Sequence, residues 1–297
     1  MTTLTSFPEE LLERILAHTV IAPPAPHPRA PWHQGNTSTK DTRSRMAPLL
    51  VCRAFHRIAL PFFYHTLVLH SPRQSAALLV ALRAQPDLAR GVCVLVLPSP
   101  SASDAAVLSM LPKLLVLDVT LPNSAEDADD LTRAVRDLRT LQELSVRKAA
   151  GTYLSQPAPR AMLDALSSAV LASPQLVRCA LAFLLTTLSF PLSGDPALAT
   201  LTTALAAAPA LHALRTPLPA MWAHAYAEVA ANPALERVCL GGAASPAAPS
   251  LPRPILSTAL FLRAARPHAR LSELIRAGTH LAAGGWRGRS ATVGGAC

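Results

Sequence analysis

Lysine is almost missing from this chain. Only Lys40, Lys113 and Lys148 occur, so the formal net charge of +9 rests on arginine. Charged side chains of every kind reach 15% of the residues, little for a globular surface, and aromatic ones 4%. A basic chain invites a nucleic-acid reading. The arginines are scattered rather than gathered into a run, however, and there are few rings on which bases could stack, so no nucleic-acid partner is expected. A GC-rich coding sequence accounts for the abundant alanine, arginine and proline together, and for the scarce lysine with them.

Paired cysteines are absent too. Cys52, Cys93, Cys179, Cys239 and Cys297 lie far apart without a CxxC, which reads as reduced, mostly buried thiols in a cytoplasmic or nuclear protein. The amino terminus carries Glu9 and Glu10 where a secretory signal needs a basic segment and an apolar core. From Cys179 to Leu214 the only charged side chain is Asp195, but Pro191, Pro196 and Pro209 cut the stretch into pieces. Each piece is shorter than the roughly 20 residues of a membrane span, so no membrane is expected.

Catalytic motifs are missing as well. There is no GxxxxGK[ST], no GxGxxG after a strand, no HExxH and no GxSxG. The ten histidines are dispersed, and His56, His65 and His70 fall on different elements. The acidic run Glu126, Asp127, Asp129 and Asp130 lacks the glycine and trailing glutamate of a calcium loop and reads as a solvated helix start. No metal, cofactor or catalytic residue is expected, and the chain reads as a binding protein rather than an enzyme.

What is present begins at the amino terminus. Ser6 with Glu9 has capping-box spacing and Pro8 suits a first turn, so a helix is predicted to start near Pro8. Leu11, Leu12, Ile15 and Leu16 give it an apolar stripe. A second helix carries Val51, Phe55, Ile58 and Ala59 on one face and Arg53, His56 and Arg57 on the other, and Pro61 is expected to end it. A short helix around Met46 to Leu50, interrupted by Pro48, precedes it. Helices this short cannot bury both stripes against each other, which leaves apolar surface for a further element or a partner.

These residues resemble an F-box of the form common in basidiomycete fungi. The likeness rests on Phe7-Pro8-Glu9-Glu10-Leu11-Leu12 with Ile15-Leu16, and on Val51-Cys52-Arg53 with Phe55-His56-Arg57, Ala59, Pro61 and Tyr64, and it spans about a fifth of the chain. The resemblance implies a three-helix module docking on the Skp-type adaptor of a cullin-RING ubiquitin ligase. Its adaptor-facing residues would be Pro8, Leu11, Leu12, Ile15, Leu49, Val51, Cys52 and Phe55. An F-box joins its first helices by a few residues, whereas here 21–45 intervene, rich in proline and then in Ser, Thr and Arg. That composition predicts a disordered insertion.

After residue 65 the period changes. His65 to His70 alternates like a strand, and Arg73 to Gln85 is helical in spacing. L-x-x-L-x-L triplets then recur at Val92-Leu95-Leu97, Leu114-Leu117-Val119, Leu141-Leu144-Val146, Leu176-Cys179-Leu181, Leu211-Leu214-Thr216, Leu235-Val238-Leu240 and, more weakly, Leu271-Leu274-Arg276. Their spacings are 22, 27, 35, 35, 24 and 36 residues, and helix candidates fill the gaps. This resembles a degenerate leucine-rich-repeat array: an α/β repeat solenoid with parallel strands over 66–281, following a small all-α module over 1–65 and preceding a disordered tail over 282–297. An ordinary βα domain would also alternate strand and helix.

In such an array Asp118, Glu143, Arg147, Arg178, Arg215 and Arg237 point to the open face. One arginine on each of four neighbouring strands could grip an acidic or phosphorylated target by paired hydrogen bonds. The expected function is therefore that of a substrate-recognition subunit, with the helical module on the adaptor and the array on a target protein. Two alternatives stand beside it: a repeat scaffold independent of any ligase, and a basic nucleic-acid-binding protein.

Overall fold

The computed structural model describes residues 8–21, 44–124, 128–149, 151–183, 185, 196–219, 222–241 and 255–279. Helix α1 (Glu9–Val20) starts with Pro8 at its cap, Glu9 and Glu10 in its first turn facing the positive end of the helix dipole. A single 3-10 turn (Ala47–Leu50) and helix α2 (Arg53–His65) follow. Pro61 does not end α2. The ring removes one backbone donor, but Arg57, whose carbonyl loses its partner, is exposed to water. Beyond it Phe62 and Phe63 pack on the small helical core and Tyr64 on the main one, which offsets the missing bond.

α2 runs directly into a seven-stranded, all-parallel sheet whose strand order follows the chain. The strands are β1 (Thr66–Val68), β2 (Val94–Leu97), β3 (Val116–Thr120), β4 (Glu143–Arg147), β5 (Arg178–Leu181), β6 (Ala213–Thr216) and β7 (Arg237–Leu240). Parallel neighbours need a crossover, and helices supply each one. They are α3 (Pro72–Ala84) with α4 (Pro86–Gly91), α5 (Ala102–Leu108), α6 (Ala128–Arg136), α7 (Pro157–Ala172), α8 (Pro196–Ala207) and α9 (His224–Ala230). From α5 onward each helix packs on the next, and every second strand residue is buried beneath the layer, so one face of the sheet is covered and the other is open.

The register makes the buried rows continuous. Leu95, Leu117, Leu144, Cys179, Leu214 and Val238 stand opposite one another across β2 to β7. All six are almost inaccessible to solvent, as are Val92, Leu114, Leu141, Leu176, Leu211 and Leu235 just before the strands. The backbone repeats too. The carbonyls of Cys93, Leu115, Gln142, Val177 and His212 each accept two consecutive N–H groups from the next unit. X-Pro turns feed the later strands: Leu176 N–H donates to Ser173 and Leu235 N–H to Asn232, with proline at the second turn position in both.

The seventh leucine triplet is not a strand. Leu271, Leu274 and Ile275 fall at helical spacing and are buried on α11 (Ala269–Gly278), which follows α10 (Ile255–Ala265) and lies along β7. It closes the sheet in a strand's place. Thr279 Oγ1 accepts from Leu240 N–H at 2.9 Å and donates to the Val238 carbonyl at 3.1 Å, so a side chain completes the bonds an eighth strand would have made. The predicted tail, 282–297, and most of the predicted insertion lie outside the described residues.

Candidate protein-interaction surfaces

The helical module has its own core, separate from that of the sheet. Leu16, Val20, Leu49, Ile58 and Ala59 are buried together, with Leu12, Phe55, Leu60, Phe62 and Phe63 packed around them. Arg45 clasps it. Its Nε donates to the Val20 carbonyl at 2.7 Å and its Nη2 to the Phe63 carbonyl at 3.2 Å, and the guanidinium stands 5.3 Å from the Phe63 ring centre. Burial lowers the pKa of this guanidinium. Sequence reading had put Arg45 at the end of a disordered insertion. Its signal in the sequence is weak, since Arg43 stands two residues before it in the same setting, and its role depends on two distant carbonyls. On the surface Arg57 donates to Glu9 at 2.8 Å, and that hydrogen bond holds the Glu9 carboxyl below its ordinary range.

The eight residues expected to face an adaptor fall into three groups. Pro8, Leu11, Ile15, Val51 and Cys52 are exposed, Ile15 by 51% and Val51 by 60%. Leu12 and Phe55 are half-buried against the small core. Leu49 is turned inward, a correction to its expected outward role, because the 3-10 turn rotates Leu50 out in its place. Leu50 is 79% exposed, the most of any large apolar side chain among the described residues, and Met46 is exposed by 40%.

The open face of the sheet shows a gradient of chemistry. Toward β1 to β3 it presents the half-exposed Val68, Val94, Val96 and Val116. At β3 to β5 it carries two ion pairs. Arg147 donates to Asp118, both largely buried, and Arg178 donates to Glu143, both more exposed. Burial raises the Asp118 carboxyl above its ordinary range, against the lowering effect of Arg147. At β6 and β7 stand Arg215 and Arg237, with no ion-pair partner among the described residues.

The four arginines therefore do not form the single row expected of them. Arg178 and Arg237 share a ladder position with Ala213 between them, Arg215 lies level with Ala180 and Cys239, and Arg147 is level with Thr120. Two of the four are engaged with carboxylates, which spacing along one strand could not reveal.

Asn232 also escaped the sequence reading. It is buried, donates through Nδ2 at 2.8 Å to both the Leu205 and Ala208 carbonyls, and accepts from Ala234 N–H. It ties the end of α8 to the turn before β7. Among the described residues no cluster of three His, Cys, Asp or Glu side chains is placed to hold a metal, and no helix is long and apolar enough to cross a membrane. Compared with protein-family models and with curated proteins, the chain matches none.

Proposed function

We propose that this chain is a substrate-recognition subunit of an SCF-type cullin-RING ubiquitin ligase, with an F-box-like helical module for the Skp-type adaptor and a leucine-rich-repeat-like array for the target. The observation that carries the reading is the outer side of the helical module. A unit with a small core of its own exposes Leu11, Ile15, Met46, Leu50 and Val51 on α1 and the adjacent 46–51 segment, and nothing described in the chain covers them. Apolar side chains gathered on one small unit suit a protein partner. The chain would supply no covalent chemistry; it would raise the local concentration of a target beside the ubiquitin-charged enzyme.

The test is co-purification of the full chain with a Skp-type adaptor, with Ile15→Asp and Val51→Asp variants beside it. Adaptor capture by the native chain and its loss in both folded variants is the expected result. A native chain that captures no adaptor overturns the ligase reading and leaves a repeat scaffold.

A further inference from the structure

We infer that the open face of the sheet holds an extended peptide segment with apolar residues at one end and carboxylates at the other, its acidic end on Arg215 and Arg237. The inference rests on the substrate-receptor reading and names the chemistry of the target. Its grounds are the uneven distribution of charge along the seven strands.

The face is not uniformly basic. Arg147 and Arg178 are neutralised by Asp118 and Glu143 on the preceding strands. Positive charge without a matching carboxylate among the described residues collects at β6 and β7, where Arg215 projects beside Gly241 and Arg237 is exposed. Glu236, just before β7, faces His212 Nε2 at 3.9 Å rather than either arginine. The opposite end offers valine methyls in place of charge.

From β2 to β6 is four strand spacings, or roughly 20 Å, which about six extended residues cover. A ligand matched to both ends thus needs an apolar group and a carboxylate about six residues apart. A polyanion fits poorly. It would have to cross Asp118 and Glu143 in mid-face and then lie on aliphatic side chains that give bases nothing to stack on.

The probe is a random eight-residue peptide library selected on the immobilised full chain. Enriched peptides are expected to carry Asp or Glu near one end and Leu, Ile or Val near the other. The best of them should bind the Arg215→Glu, Arg237→Glu double variant roughly tenfold more weakly or worse, and Arg133→Ala, at an exposed position on α6, almost unchanged. Circular dichroism of both variants separates lost binding from lost fold, and if the double variant unfolds, Arg237→Glu alone, at an exposed position, carries the same expectation.

Absence of acidic enrichment, or equal affinity in the charge-reversed variant, overturns the inference. So does a labelled single-stranded RNA that displaces the peptide through the same two arginines. Adaptor capture measured on the same preparations tells the two failures apart: peptide binding without adaptor sinks the ligase reading alone, and adaptor binding without acidic preference sinks this one.

Discussion

Arg147 reaches back diagonally from β4 to donate through Nη2 to Asp118 Oδ2 on β3, although the residue opposite Asp118 in the ladder is Ser145. The pair sits on the open face yet is largely shielded from water. Removing one member of such a pair strands the other's charge, which typically costs about 3 kcal/mol or more. Arg147→Met should therefore lower the urea-unfolding free energy by about that amount at pH 7. Adding Asp118→Asn should restore part of it by removing the stranded carboxylate. Acidification should also narrow the deficit, since burial already favours the protonated carboxyl. Equal deficits in single and double variants would show that the pair is not coupled.

Leu49 and Leu50 are neighbours with opposite exposures, 8% and 79%. Leu49→Asp places a carboxylate in the five-residue core of the helical module and should unfold it, seen as lost helical ellipticity and faster proteolysis within α1 and α2. Leu50→Asp adds a charge already in water and should leave ellipticity unchanged. If the ligase reading holds, both variants lose the adaptor, the first through unfolding and the second with the fold intact.

These two leucines also show where sequence legibility stops. Repeat spacing located β2 to β7 because each buried row needs an apolar residue at a fixed place, and Leu95, Leu117, Leu144 and Leu214 supply it in every register. The rotation of a 3-10 turn has no such period, so nothing in Ala47-Pro48-Leu49-Leu50 tells which leucine faces inward. Pro61 misled for a related reason: a local rule predicted a stop, and the packing of Phe62, Phe63 and Tyr64 outweighed it. The site residues were found as types but not as partners. That Arg178 meets Glu143 depends on the offset between strands 35 residues apart, and Leu271 shows the same limit, since its triplet fits a helix as well as a strand.

Cys179 occupies a leucine's place in the central buried row, and burial pushes its thiol from 9.0 up to about 12. The folded chain keeps the proton that the unfolded chain releases. The stability this contributes is complete below pH 9.0 and is lost as pH rises toward about 12. Cys179→Val, which cannot ionise, should lack that loss. Urea midpoints measured for both proteins at pH 8, 9 and 10 should converge, or cross in favour of the variant, by roughly 1 kcal/mol between the last two values. A constant difference across that range would mean that Cys179 reaches solvent. The same burial should leave Cys179 unreactive toward a thiol reagent while exposed Cys52 reacts at once.

Gly278 is the contact on which closure of the last strand depends. A methyl group built there would come within 2.5 Å of the Val238 carbonyl oxygen, a backbone atom that cannot step aside as a flexible side chain would. Gly278→Ala must therefore push α11 off β7. That would draw Thr279 away from Leu240 N–H and the Val238 carbonyl, and strain the hydrogen bond from Arg270 to the Leu235 carbonyl at 2.6 Å. Overpacking of this kind costs about 1–3 kcal/mol. The damage should stay local, because each strand pairs only with its neighbours in chain order and the helices of the layer pack each on the next. Amide exchange should quicken at Leu240 and along β7 while β2 to β4 keep their protection. Uniform loss of protection across all seven strands would instead mean that the sheet unfolds as one cooperative block, with α11 holding every strand in place.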